Sequence, residues 1–300
     1  MDFNHYNHVK VATCNLNQWA LDFEGNKARI FESIKVAKAQ NCTYRVGPEL
    51  EITGYSCEDH FLELDTVMHS WEVIAELLQT DLTDNIVVDI GMPLVHQGAL
   101  YNCRLIILNR KIHYIRPKTI LANDGNYRET RYFTAWKKRE LEDFHLPHFI
   151  TSITGQKKVP IGVGILKFID TELGHEICEE LWQPGSPHIA MGLDGAEIIV
   201  NSSASHFHLG RIAVRLSLLK DATSKSGGAY IYSNQIGCDG TRLYFDGCAM
   251  VCVNGDFVAI GSQFSLEEVE VVTAVIDLDE VREKKVTIKP RYEETVATRA

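Results

Sequence analysis

The sequence predicts an α/β sandwich, sheet on sheet with helices outside. Three observations carry that reading. Short β-branched runs alternate with amphipathic helical stretches along the whole chain. No linker rich in Pro, Gly or Ser cuts its 300 residues. A mix of 45% hydrophobic and 23% charged residues suits a chain that buries a large core without staples. Mixed strands with helices between them stack as layers around such a core.

The first strand is read over Val9–Leu16, β-branched at its start. Helical spacing follows over Asn26–Asn41, with Ile30, Ile34, Val36 and Ala37 on or near one face. Tyr44–Val46 is a short strand stopped by Gly47 and Pro48. Thr66–Gln79 is a second amphipathic helix. Ile86–Ile90, Asn102–Leu108 and Ile112–Ile115 read as neighbouring, partly antiparallel strands. Arg116–Lys158 lacks clean periodicity, and irregular stretches of that length are often functional. Strands resume at Gly162–Phe168, Leu173–Ile177, Ala196–Asn201, Ala229–Asn234, Ala249–Val253, Phe257–Gly261 and Val269–Ile276, with a helix over Gly210–Thr223. These elements form one domain, residues 1–283. The charged, weakly patterned stretch 284–300 reads as a tail.

The net charge of -10 argues against a nucleic-acid partner and, more weakly, against an anionic membrane surface. No apolar run approaches the ~18 residues of a spanning helix. Met1–Lys10 lacks the basic-then-apolar order of a signal peptide. The eight cysteines form no CxxC pair, which predicts reduced thiols in a cytoplasmic setting and no structural zinc.

Among those cysteines Cys178 stands out, because it follows a strand ending at Ile177 and precedes Glu179 and Glu180. A thiol at a strand end sits at the rim of a sheet, where backbone N–H groups can help to hold an oxyanion. The bland reading is a buried thiol packed as a small hydrophobe. A base is needed beside it. Of the nearby histidines, none of His175, His188, His206 and His208 has a pattern that singles it out, and the His206/His208 pair lacks a third metal ligand. A carboxylate is the other candidate. Glu49 and Glu51 alternate, so on an extended chain only one can face a buried site. Lys118, after a Pro-fixed turn, is placed to stabilise an electrophile, against the plain reading of a solvated lysine. Gly162-Val-Gly-Ile-Leu-Lys167 lacks the third glycine of a dinucleotide loop, and Ser224-Lys-Ser-Gly-Gly228 reads as a turn.

Glu, Lys and Cys in this order and at these wide spacings resemble the triad of the nitrilase, or carbon–nitrogen hydrolase, superfamily. Longer segments look like the glutaminase domain of eukaryotic-type glutamine-dependent NAD synthetases. They include Gly47-Pro-Glu-Leu-Glu-Ile-Thr-Gly-Tyr55, Arg116-Pro-Lys118, Leu121-Ala-Asn-Asp-Gly-Asn-Tyr-Arg-Glu129, Ile177-Cys-Glu-Glu-Leu-Trp182 and Tyr244-Phe-Asp-Gly-Cys248. The resemblance implies an αββα sandwich that pairs across its helical faces into a four-layer dimer. It implies that Cys178 is the nucleophile, Glu49 the general base, Lys118 the cation at the tetrahedral intermediate and Glu129 a second carboxylate. Tyr55, Tyr127, Glu179, Ser205 and Arg211 fall on the substrate side. No metal or cofactor is implied.

The resemblance also implies glutamine as substrate, with another small carboxamide or a weakly active binding relative as alternatives. The family enzyme carries a further ATP-using synthetase domain with a Ser-Gly-Gly-x-Asp-Ser loop, which these 300 residues lack. The chain is therefore expected to be an excised domain or a free-standing relative. It is expected to hydrolyse glutamine weakly and to make no NAD alone. Gly54-Tyr-Ser56, Val163-Gly-Ile165 and Ser203-Ala-Ser-His-Phe-His208 depart from the family's usual text.

Overall fold

The computed structural model describes residues 7–288 and 294. In chain order the first half is β1 (His8–Leu16), α1 (Phe23–Ala39), β2 (Tyr44–Val46), α2 (Leu64–Leu78), β3 (Val87–His96), β4 (Ala99–Leu108) and β5 (Lys111–Pro117). Then come β6 (Glu142–His145), α3 (His148–Thr154), β7 (Lys158–Ile161), β8 (Leu166–Lys167), β9 (Glu172–Ile177) and α4 (Pro187–Leu193). The chain continues through β10 (Ile198–Ser203), α5 (Arg211–Ser224), β11 (Ala229–Gly237), β12 (Phe245–Asp246), β13 (Met250–Val253), β14 (Asp256–Ile260), β15 (Val269–Asp277) and α6 (Leu278–Thr287).

Hydrogen bonding follows the order β6-β7-β5-β4-β3-β2-β1-β11-β10-β9-β8, a curled sheet whose halves meet at β1. β1 runs parallel to β2 and β11 and antiparallel to β15. Side chains alternate across each strand. Ala12, Cys14 and Leu16 of β1 and Val88, Ile90, Met92 and Leu94 of β3 face outward, onto Ile30 and Ile34 of α1 and Trp71 and Ile74 of α2. Val11, Val46, Val87 and Ile106 face inward and meet Leu173, Ile198, Val200 and Ile231 of the other half. Met191 of α4 and Leu219 of α5 cover the second outer face, against Tyr230 and Met250. The layers are thus helix, sheet, sheet, helix. Burying one such aliphatic side chain contributes about 1.5–3 kcal/mol.

Three expectations need correction. The irregular stretch Arg116–Lys158 holds a strand and a helix, β6 and α3, both too short for a clear period, and ends where β7 begins. Gly162–Phe168 is not one strand. Gly162 has φ +146, which breaks the chain between β7 and the two-residue β8. α4 was not read from the sequence, although Pro187 at its first turn is a helix-start signal. At the C-terminal end, α6 runs to Thr287, so Lys284–Thr287 of the expected tail are helical and Lys285 is buried. Of the remaining tail residues only Ile288 and Glu294 are described.

Candidate active site

Glu49, Lys118 and Cys178 all lie just beyond the C-terminal ends of strands: β2, β5 and β9. β2 and β5 belong to one half of the sandwich and β9 to the other. The site therefore opens at one end of the sandwich, between its sheets.

Lys118 is completely buried, with its Nζ 2.6 Å from Glu49 Oε1 and 2.7 Å from Glu129 Oε1. Asn102 Nδ2 donates to Glu49 Oε1 at 2.7 Å. Tyr55 OH donates to Glu129 Oε1 at 2.5 Å and the Ala122 N–H to Glu129 Oε2 at 3.1 Å. Glu49 Oε2 is buried and has no hydrogen-bond partner among the described residues. Burial alone would lower the Lys118 ammonium, but the charges of Glu129 and Glu49 outweigh it and hold Lys118 well above its ordinary range. Burial pushes Glu129 up to about 7, against the opposing pull of Lys118. Two carboxylates share one ammonium, so the cluster carries an excess of negative charge when both are ionised.

Cys178 is 3% exposed and sits at φ +45, a left-handed conformation that costs a non-glycine residue energy and recurs at functional sites. Its N–H donates to Asn201 Oδ1 at 3.2 Å and is therefore not free to hold an oxyanion. Burial, reinforced by the charge of Glu49 and opposed by Lys118, pushes the thiol well above its ordinary range. The resting sulfur is thus protonated and needs a base at the moment of attack.

The remaining predicted residues surround this centre. Tyr55 packs edge-on against Tyr127 and Phe245. Tyr127 OH donates to Ala204 O at 2.8 Å and accepts from the His206 N–H at 3.1 Å. Among the described residues, the buried Ser205 Oγ and the Arg211 Nε have no hydrogen-bond partner. The Arg211 guanidinium stacks over Trp182 at 4.4 Å. Glu179 is partly buried, accepts from Gln183 Nε2 at 2.6 Å, and is raised by burial. A small cavity of about 30 Å³ is bounded by Tyr55, Phe61, Tyr127, Glu129, Phe133 and Leu243.

Among the described residues no hydrogen bond joins a histidine to Cys178, and His206 Nδ1 lies instead 2.9 Å from Tyr127 OH. His175 is held near Asp89 and Tyr44, between the sheets, and burial lowers it to about 4. His188 binds Glu176, and His208 is exposed. Glu51 also turns away from the site, but not by strand alternation: residues 49–53 form a turn in which Leu50 is left-handed at φ +50. Glu51 accepts from Arg45 at 3.0 and 2.8 Å. A Cβ on Gly47 would lie 2.0 Å from Glu51 Oε2, so only glycine lets Glu51 fold back there. Arg104 completes this second cluster, donating to Asp89 Oδ1 at 2.7 Å and to the Gly47 and Pro48 carbonyls at 3.1 and 2.6 Å. It thereby fixes the turn that carries Glu49.

Sequence reasoning missed Asn102 and Asn201 as contacts of the centre. Neither has a motif of its own. Asn102 and Arg104 stand out as polar residues at alternate, buried positions among the apolar side chains of β4.

Comparison with known proteins agrees with this geometry. The sequence profile of the carbon-nitrogen hydrolase family matches residues 10–286. The glutamine-dependent NAD(+) synthetase of Saccharomyces cerevisiae is 56% identical over 284 residues, covering 94% of this chain and 40% of that protein. The human protein of the same name is 55% identical over the same span and shares. The chain thus spans about two fifths of the length of these relatives. A crystal structure of a glutamine-dependent NAD(+) synthetase from Cytophaga hutchinsonii superposes with a TM-score of 0.79 at 29% identity, over 90% of this chain and 43% of that one. An amidase from Nesterenkonia sp. AN1 has the same fold, with a TM-score of 0.73 at 15% identity over 96% of this chain and 98% of that one. No helix among the described residues is long and apolar enough to cross a membrane. With the strand-end cluster and the match over nearly its whole length, the chain belongs to the carbon-nitrogen hydrolase family.

Proposed function

We propose that the chain releases ammonia from the side-chain amide of glutamine through a Cys178 thioester. The observation that carries this is the convergence of an unpartnered Glu49 oxygen, a buried Lys118 and a strained Cys178 at the ends of three strands. Glu49 takes the thiol proton as sulfur attacks the amide carbon. Lys118, pinned by Glu49 and Glu129, balances the charge that develops on the amide oxygen. Glu49 returns the proton to the leaving nitrogen, and ammonia departs as the C–N bond breaks. Water, deprotonated by Glu49, then attacks the thioester, and the thiol leaves with its proton restored. Two lower barriers replace one high one.

Glutamine is favoured by the 55–56% identity to proteins named as glutamine-dependent NAD(+) synthetases. The substrate's amino acid end would meet Tyr55, Tyr127, Glu179, Ser205 and Arg211. The open Ser205 Oγ and Arg211 Nε suit its carboxylate, and Glu179 suits its ammonium. On this reading the ammonia serves an ATP-dependent synthetase domain or subunit, the chain pairs across its helical faces, and it makes no NAD alone. Eight free thiols support a reducing, cytoplasmic setting.

The test is ammonia release from glutamine with EDTA present, and mass spectrometry of the trapped enzyme. The expected results are turnover insensitive to chelator, a γ-glutamyl adduct on Cys178, and a loss of at least ~10⁴-fold in Cys178→Ala. Full activity in Cys178→Ala, or loss with chelator, overturns the mechanism. An adduct formed only with other amides overturns glutamine.

A further inference from the structure

One carboxylate ties the nucleophile to the lysine while belonging to neither. Glu180, completely buried, lies two residues beyond Cys178. Its Oε1 accepts from Arg116 Nη1 at 2.8 Å, from the Thr119 N–H at 2.6 Å and from Thr119 Oγ1 at 2.5 Å. Its Oε2 accepts from Arg116 Nη2 at 2.8 Å and from the Ile177 N–H at 2.7 Å. Arg116 and Thr119 bracket Lys118. Ile177 and Glu180 bracket Cys178. β5 and β9 share no hydrogen-bonded ladder, so strand pairing leaves the distance between the two residues unset.

We propose that Glu180 is a positioning residue for the hydrolytic step, holding the Lys118 ammonium in register with the Cys178 sulfur. This rests on the reading of Cys178 and Lys118 given above. Two features favour geometry over stability as the reason for the pair. A buried arginine–carboxylate pair is often no more stable than apolar side chains of the same volume. The left-handed backbone at Cys178 also persists only where its surroundings over-determine it. The Ile177 N–H on Glu180 and the Cys178 N–H on Asn201 grip that turn from two sides.

The test is a double-mutant cycle in the full chain. Glu180→Gln, Lys118→Met and the combined variant are compared by the rate at which iodoacetamide alkylates Cys178. Wild type and Glu180→Gln are also compared by kcat and KM for glutamine. Glu180→Gln is expected to lower kcat on the order of 10²-fold, the scale of a misplacement of about 1 Å, with KM nearly unchanged. It should slow alkylation when Lys118 is present and change it little in the Lys118→Met background, because the effect passes through the lysine. An equal effect in both backgrounds assigns Glu180 a purely structural role and overturns the proposal. So does a folded Glu180→Gln with unchanged kcat. If Glu180→Gln does not fold, Thr119→Val removes a single hydrogen bond to the same carboxylate. It should then show the same dependence on Lys118 at roughly fivefold. An equal effect in both backgrounds overturns the proposal there too. Absence of glutamine turnover in wild type would sink the substrate reading and leave the alkylation cycle to decide the role of Glu180.

Discussion

Two buried charge clusters lie within a few residues of each other, and they are built to opposite rules. Behind the Glu49 turn, Arg45 and Arg104 face Glu51 and Asp89, two cations for two anions. Arg45 also donates to Ser33 Oγ, and Tyr44 OH donates to Asp89 Oδ2. In the site, Glu49 and Glu129 face Lys118 alone, and one Glu49 oxygen has no donor. A closed, neutral cluster holds shape. An open one with a surplus carboxylate has somewhere to put a proton. Burial is the same in both cases, so burial does not mark the chemistry. The unfilled acceptor does.

The largest expected effect separates the clusters by activity. Glu49→Gln keeps the shape of the side chain and removes the proton acceptor. It should lower kcat by ~10²–10⁴-fold while the protein still melts cooperatively. Near-normal turnover in this variant would place the base elsewhere.

Stability separates them the other way. Arg45→Met leaves Glu51 buried without its bidentate partner and should cost about 3–5 kcal/mol in urea denaturation. A much smaller cost would mean that the rear cluster is not the scaffold described here.

The finest test is pH, because each cluster touches one titrating group. His175, beside Asp89 and Tyr44, falls from an ordinary 6.5 to about 4. The unfolded chain binds its proton first as pH falls, so the stability it contributes is present above 6.5 and lost as pH drops through 4. The loss is roughly 3 kcal/mol. Glu129 rises from 4.5 to about 7. Its contribution is fully present below 4.5 and lost as pH rises through 7. Between pH 4.5 and 6.5 the two slopes oppose each other in wild type. His175→Gln should therefore lose stability as pH rises through that window, and Glu129→Gln should gain it, both read from urea midpoints. A His175→Gln profile parallel to wild type would refute the assignment for His175.

The sequence made the centre legible and hid its supports. Glu49, Lys118 and Cys178 follow strands that end in punctuation or a turn, and their type and order carry the family resemblance. The split between Glu49 and Glu51 was expected from the alternation of an extended chain, but a turn over residues 49–53 produces it instead. What holds them was not readable. Arg45, Arg104, Arg116 and Glu180 look like ordinary surface charges in the text, and only strands from distant segments reveal that they are buried. β6 (EDFH) is polar because it lies at the sheet edge, and the seven residues of α3 make too few turns to show a period.

The placement of β1 has a consequence for how the molecule comes into being. Of the described strands this one is made first, yet it sits where the two halves of the sheet meet. Its partners span register pairs from His8↔Asp277 to Leu16↔Val269 on one side and begin at Asn15↔Asn234 on another. At ribosomal speed the wait from β1 to β15 is on the order of 10–50 s. During that wait an apolar strand lacks the neighbour that will cover its edge, the kind of surface that recruits other chains. Contacts this distant in sequence also make closure slow. The domain cannot mature from its N-terminus outward. Its first strand is finished by its last, and every ribosome making it carries an open edge until then.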